Sequence, residues 1–111
     1  MKRLVLFCAA LCGCAQGAQK DLPSISEARS LAAEWALVND QAAQGKLTAT
    51  YATTMRASVR EQLATVSKSL SEPTALGIVN DLLTQPDDAP PQQLREGADR
   101  LKQIEDQLES A

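Results

Sequence analysis

Few residues of this chain could carry covalent or acid–base chemistry, and its three cysteines come first. Cys8, Cys12 and Cys14 all lie within the first fourteen positions, and the 111 residues include no histidine. Without histidine the chain lacks the commonest general base and the Ser–His and Cys–His nucleophile pairs. No glycine-rich nucleotide-binding motif is present either. The inventory therefore predicts a protein without a catalytic site, a cofactor or a metal centre.

Weaker candidates are three pairs of like-charged residues: Asp87 and Asp88, Arg56 and Arg60, and Glu105 and Glu109. The aspartates could contribute to a site for a hard cation, but an acid pair beside prolines is more typical of a solvated turn. The arginines could meet an acidic partner or a lipid head group, although the pattern is more typical of plain surface. We expect the two glutamates to be fully solvated at a frayed helix end.

The segment that holds the cysteines has the features of a secretory signal. Lys2 and Arg3 form a basic start, residues 4–12 form an apolar run, and small residues follow. A membrane-spanning helix needs roughly 20 apolar residues, and this run has about half that number. The pattern predicts an export signal over residues 1–13. The domain that follows would then have no cysteine for a disulfide or a thiolate site.

Leu11-Cys12-Gly13-Cys14 resembles the lipobox of bacterial lipoproteins, in which a leucine and two mostly small residues precede a cysteine. The resemblance covers only the first fourteen residues, and Cys12 departs from the small aliphatic or hydroxyl residue usual there. It implies lipidation of Cys14 by a thioether-linked diacylglycerol, with cleavage before that residue. Ala15 resembles the next residue of lipoproteins sent to the outer membrane. The alternative is an ordinary secretory signal cleaved after Gly17.

The part that follows the predicted signal is small and acidic. The formal net charge of the whole chain is −3, and loss of Lys2 and Arg3 lowers it to −5. This balance disfavours nucleic acid as a partner, because such binding relies on clustered lysine and arginine. The length of this part suffices for one domain. Large aliphatic residues are sparse, so we expect this domain to have a thin core and marginal stability.

Apolar residues recur at helical spacing along the rest of the chain. We predict a flexible tether over residues 14–23 and an all-α domain over residues 24–111, a small antiparallel helical bundle. Its four helices are expected near residues 24–45, 48–71, 72–85 and 91–109. Ser24 and Glu27 have the spacing of a capping box at the first helix start, and Gly45 suits a left-handed stop at its end.

The second helix has the most regular apolar stripe, which includes Tyr51 and Leu63. We expect this stripe to face the first helix, with Trp35 and Tyr51 as a core pair, so that these two helices form the centre of the fold. The last helix offers three possible ion pairs at four-residue spacing: Glu96–Arg100, Arg95–Asp99 and Lys102–Asp106. Its apolar seam suits either internal packing or self-association.

Two functional hypotheses follow from these observations. One is a non-catalytic envelope lipoprotein, anchored through lipid on Cys14 to the outer membrane and facing the periplasm. Its helical domain would bind another envelope protein or support an assembly. The other is a freely secreted periplasmic helical protein that binds a small ligand or acts as an inhibitor or immunity-like factor. Acylation of Cys14 distinguishes the first hypothesis from the second.

Overall fold

The computed structural model describes residues 19–110, so Cys14 and the predicted signal lie outside the described residues. Every regular element in this part of the chain is a helix, which confirms the predicted all-α class. The four helices are α1 (Leu22–Ala43), α2 (Ala49–Ser67), α3 (Pro73–Leu83) and α4 (Pro91–Ser110). Within residues 19–110, none of them combines the length and apolar character needed to cross a membrane.

The helices form a ring in chain order. Helices α1 and α2 pack together, α2 packs on α3, α3 packs on α4, and α4 closes the ring by packing on α1, with slight contact between α1 and α3. Short connections make successive helices antiparallel, as in an up-and-down four-helix bundle. The α1–α4 contact is the most extensive of all. Our expectation that α1 and α2 alone form the centre was therefore wrong, because α4 is the main partner of α1.

One continuous apolar core runs through the bundle. Trp35 is its largest fully buried side chain, and Leu63, Leu94 and Leu101 are buried around it. Helix α4 lines this core with a stripe at the predicted helical spacing, and Gly97 on that stripe is also buried. A Cβ at Gly97 would lie 2.9 Å from Leu82 Cδ2, so the missing side chain permits the close approach of α3 and α4.

Tyr51 does not belong to the core, contrary to the predicted pairing with Trp35. Its side chain is 52% exposed, whereas Val59 and Leu63 further along α2 are buried. The reason is helical geometry: steps of four residues rotate a stripe by about 40° each time, because a turn takes 3.6 residues. A stripe built on such steps drifts around the helix, so Tyr51 lies beyond the edge of the buried face.

The two ends of α1 differ in how well the sequence predicted them. Gly45 has φ +74° and is part of a Schellman motif, in which its own N–H and that of Lys46 donate to carbonyl oxygens of the last turn. At the other end the predicted capping box of Ser24 and Glu27 does not form, because α1 already begins at Leu22. Proline at position 23 suits a first helical turn, so the helix extends back through it.

Candidate functional site

Of the predicted functional residues, Cys14 lies outside the described part of the chain. Glu109 is exposed, and the remaining residues fall into two groups at opposite ends of the bundle. One group surrounds the loop between α3 and α4 and includes Arg56, Arg60 and the two loop aspartates. The second group lies near the start of α1 and includes Glu105. The loop group contains the more organised polar cluster.

The loop between α3 and α4 is held down by two side chains of α1. Trp35 Nε1 donates a hydrogen bond of 2.9 Å to the carbonyl oxygen of Asp87. Asn39 Nδ2 donates to the same oxygen at 3.1 Å and to the carbonyl oxygen of Ala89 at 2.8 Å. Asn39 is buried, and burying an amide side chain costs free energy unless its polar atoms form hydrogen bonds. These bonds therefore fix the loop over the core.

Arg60 of α2 holds the same loop from the other side. Its two terminal nitrogens donate to the carbonyl oxygens of Gln85 and Leu83, at 2.6 and 2.9 Å. Its Nε lies 3.4 Å from the Asp87 carboxylate, and its guanidinium carbon lies 5.2 Å from the centre of the Trp35 ring. The prediction of a plain surface arginine was wrong here, because the side chain caps the carboxyl end of α3.

Arg56, one turn earlier, is fixed differently. Its Nε donates a 2.7 Å hydrogen bond to Asn39 Oδ1, so the buried asparagine uses both its donor and acceptor atoms. Among the described residues Arg56 forms no ion pair. It therefore presents a half-buried guanidinium whose orientation is set by Asn39 and whose charge is not balanced by a direct acidic partner within residues 19–110.

A cavity of about 350 Å³ adjoins this guanidinium, and we call it the Arg56 pocket. Ala42 and Ala43, small residues of the last turn of α1, line it together with Asp88 and Pro91. Asp88 does not form an ion pair with Arg56, since no such contact lies within 4.0 Å in the described part of the chain. The pocket thus contains a cation and an anion that are not directly joined.

The loop aspartates do not act as a pair. Asp87 lies beside Arg60, whereas Asp88 lines the Arg56 pocket. Among residues 19–110 no group of three or more potential metal-binding side chains comes together. Hard cations prefer several oxygen ligands in one shell, which two separated carboxylates do not supply.

A second groove of about 310 Å³ lies between α3 and α4. Ile78, Leu82 and Gly97 contribute to its apolar side, and charged residues such as Glu96 and Arg100 contribute to its rim. Glu96 and Arg100 form no ion pair with each other, nor do Arg95 and Asp99. Of the ion pairs predicted within α4, the described helix forms only Lys102–Asp106, at 3.4 Å.

At the other end of the bundle, Asp21 joins the start of α1 to the start of α3. Its side chain is 1% exposed, and Oδ2 accepts hydrogen bonds from the backbone N–H groups of Ser71 and Glu72, at 2.7 and 2.6 Å. Glu105 lies nearer this end and accepts a 2.9 Å charge-assisted bond from Arg29 Nε. The expectation that Glu105 is fully solvated was wrong, because α4 packs along α1 and brings the two charges together.

No protein family, no curated protein and no solved structure matches this chain.

Proposed function

We propose that this protein is a bacterial envelope lipoprotein, anchored by lipid on Cys14, whose helical bundle serves as a non-catalytic module for binding another envelope protein. The observation that carries the proposal is the lipobox-like Leu11-Cys12-Gly13-Cys14 directly ahead of the bundle. The proposed location is the periplasmic face of the outer membrane, which Ala15 favours by its resemblance to the sorting signal of such lipoproteins.

The distance between the proposed anchor and the fold supports a module held close to a membrane. The predicted tether over residues 14–23 is shorter than expected, because Asp21 is buried and α1 begins at Leu22. Only six residues, 15–20, separate Cys14 from Asp21. The seven Cα–Cα steps from Cys14 to Asp21 span at most about 25 Å when fully extended. A lipid on Cys14 would therefore keep the bundle near the bilayer surface.

A binding role agrees better with the residue inventory than catalysis does. The chain has no histidine, and within residues 19–110 every buried side-chain nitrogen and oxygen has a hydrogen-bond partner. Tyr51 and Leu37 are the exposed large hydrophobic residues of the described bundle. Tyrosine is frequent among the residues that contribute most to protein interfaces, and here it lies beside the α1–α2 turn, away from the proposed anchor. We assign Tyr51 to the contact with the partner.

Lipidation is tested by expressing the full chain in bacteria that incorporate an alkyne-tagged fatty acid. We expect the wild-type protein to carry the label and to sediment with membranes. Cys14→Ser should lose both the label and the processed form, because the attachment sulfur is gone. Cys12→Ser is the matched control and should be labelled as the wild type is. A Cys14→Ser protein that is processed to the same size and still sediments would refute the lipid anchor. A wild-type protein that carries no label and stays in the soluble fraction would instead favour free secretion, with cleavage after Gly17.

Partner binding needs its own experiment. A photoreactive amino acid at position 51 should give a discrete crosslinked product in intact cells. The same amino acid at exposed Thr53 is the control, since this position lies on nearly the opposite side of α2 at the same height. Equal crosslinking from both positions, or none from position 51, would contradict the assignment of Tyr51.

A further inference from the structure

We propose that the Arg56 pocket binds the carboxylate group of a small ligand, with the Arg56 guanidinium as its anchor. The proposal does not depend on the lipid anchor, since it concerns only the described bundle. Three properties of the pocket carry it: a preorganised cation, room beside that cation, and an acidic residue in its lining.

The first property is the way in which Arg56 is held. Asn39 is 4% exposed, and its Nδ2 is already fixed by two loop carbonyls, so its Oδ1 points in a defined direction. Arg56 Nε donates to that oxygen, which leaves the two terminal nitrogens without a partner among the described residues. A planar guanidinium with two free terminal nitrogens matches a carboxylate, which it can bind through two parallel hydrogen bonds.

Arg60 provides an internal comparison. It lies one turn further along α2, and its three nitrogens contact Gln85, Leu83 and the Asp87 carboxylate. The nitrogens of Arg60 thus bind the loop, whereas only Nε of Arg56 has a partner among the described residues. The difference shows that Arg60 has a structural role and that Arg56 is the arginine available to an external group.

The second and third properties define the ligand. The cavity of about 350 Å³ lies at the lower end of the size range of small-molecule sites, and Ala42 and Ala43 leave space beside the guanidinium. Asp88, which also lines the pocket, repels a second negative charge and attracts a positive one. The pocket therefore suits a monocarboxylate, and most of all one that also carries an amine, as a free amino acid or the end of a short peptide does.

The test is an NMR titration of the full-length, ¹⁵N-labelled chain in dodecyl maltoside micelles. The probes are acetate, alanine, and trialanine with either a free or an amidated carboxyl terminus. We expect the free carboxylates to shift the Arg56 Nε–Hε and Asn39 side-chain amide signals, with dissociation constants in the millimolar range. Alanine should bind more tightly than acetate, and amidated trialanine should cause no shift. Comparison of alanine with free trialanine distinguishes a free acid from a peptide terminus as the source of the carboxylate.

Variants locate the site. Arg56→Gln should weaken acetate binding by about tenfold or more, because it removes the charged donor. Arg100→Gln is the matched control, since Arg100 is exposed, lines the other groove and has no ion-pair partner in the described bundle; it should bind acetate as the wild type does. Asp88→Asn, on an exposed loop, should tighten acetate binding roughly threefold by removing a nearby like charge.

Each result has a definite consequence. The proposal is overturned if no free carboxylate shifts the two signals, if amidated trialanine binds as well as the free peptide, or if Arg56→Gln binds acetate as the wild type does. Should Arg56→Gln fail to fold, Asp88→Asn decides, since unchanged acetate affinity in that variant would place the carboxylate away from this pocket.

Discussion

Asp21 offers the sharpest test of how the bundle is held together. Its carboxylate is buried and accepts two backbone hydrogen bonds, of 2.7 and 2.6 Å, from Ser71 and Glu72. These N–H groups precede α3, which has only eleven residues and depends on its neighbours for stability. Asp21→Ala should therefore loosen the junction between α1 and α3 and lower the free energy of unfolding of the whole domain.

The magnitude follows from the contacts that are lost. A hydrogen bond to a charged group contributes about 1.5–3 kcal/mol net. Two such bonds set an upper limit of about 6 kcal/mol, but Ser71 is exposed, so water can replace the carboxylate at that N–H after substitution. We expect a loss of about 2–4 kcal/mol for Asp21→Ala. Asp21→Asn keeps an acceptor oxygen without the charge and should lose about half as much.

The measurement is urea unfolding of a fragment of residues 19–111, followed by the fluorescence of Trp35. A domain of this size is stable by about 5–15 kcal/mol, so the expected loss shifts the midpoint clearly. Asp99→Ala is the matched control, because Asp99 is exposed on α4, and it should change the stability by less than about 0.5 kcal/mol. Equal stability of Asp21→Ala and Asp99→Ala would refute the assigned role. A fragment that starts at residue 22 should be destabilised like Asp21→Ala.

Two further predictions concern the core, and both are measured by the same urea unfolding. Leu101→Ala and Leu63→Ala should each lower the free energy of unfolding by roughly 2–5 kcal/mol, because both side chains are fully buried. Leu108→Ala should lower it much less, because Leu108 is only partly buried. A larger loss for Leu108→Ala than for Leu101→Ala would contradict this order. Gly97→Ala should destabilise by about 1–3 kcal/mol through its clash with α3. Gly77→Ala should instead stabilise the domain by up to about 1 kcal/mol, because alanine has the higher helix propensity and nothing lies within 4 Å of the new Cβ. A lower stability of Gly77→Ala would contradict this reasoning.

The helices could be predicted because the signals for them are local. Apolar spacing, Gly45 as a left-handed stop and the prolines between α3 and α4 each act within a few residues. The choice of packing partner is not local in this sense. The stripes of α2 and α4 are both apolar and of similar length, so the sequence does not identify which of them packs more extensively on α1. The close approach of α4 to α3 at Gly97 likewise appears only when the distance to Leu82 is known.

The polar cluster was harder to predict because its partners are backbone groups. Asn39 and Asp21 bind carbonyl and N–H groups about fifty residues away, and every residue has such groups, so residue type does not identify the partner. The one available signal for Asn39 is its position: it follows Trp35 by four residues on the buried face of α1. A polar residue at a core position indicates a hydrogen-bonding partner, but not which one.

The geometry of α1 relates the two proposals to each other. Gln19 Nε2 donates to the carbonyl oxygen of Leu108, so the described chain begins beside the carboxyl end of α4. Asn39, which orients Arg56, lies seventeen residues beyond Leu22 on α1, a distance of about 25 Å at 1.5 Å per residue. A lipid on Cys14 would hold the first of these ends near the bilayer, and the Arg56 pocket lies at the other end of α1. The anchor and the pocket are therefore compatible, because binding of a soluble carboxylate at the far end requires no contact with the membrane.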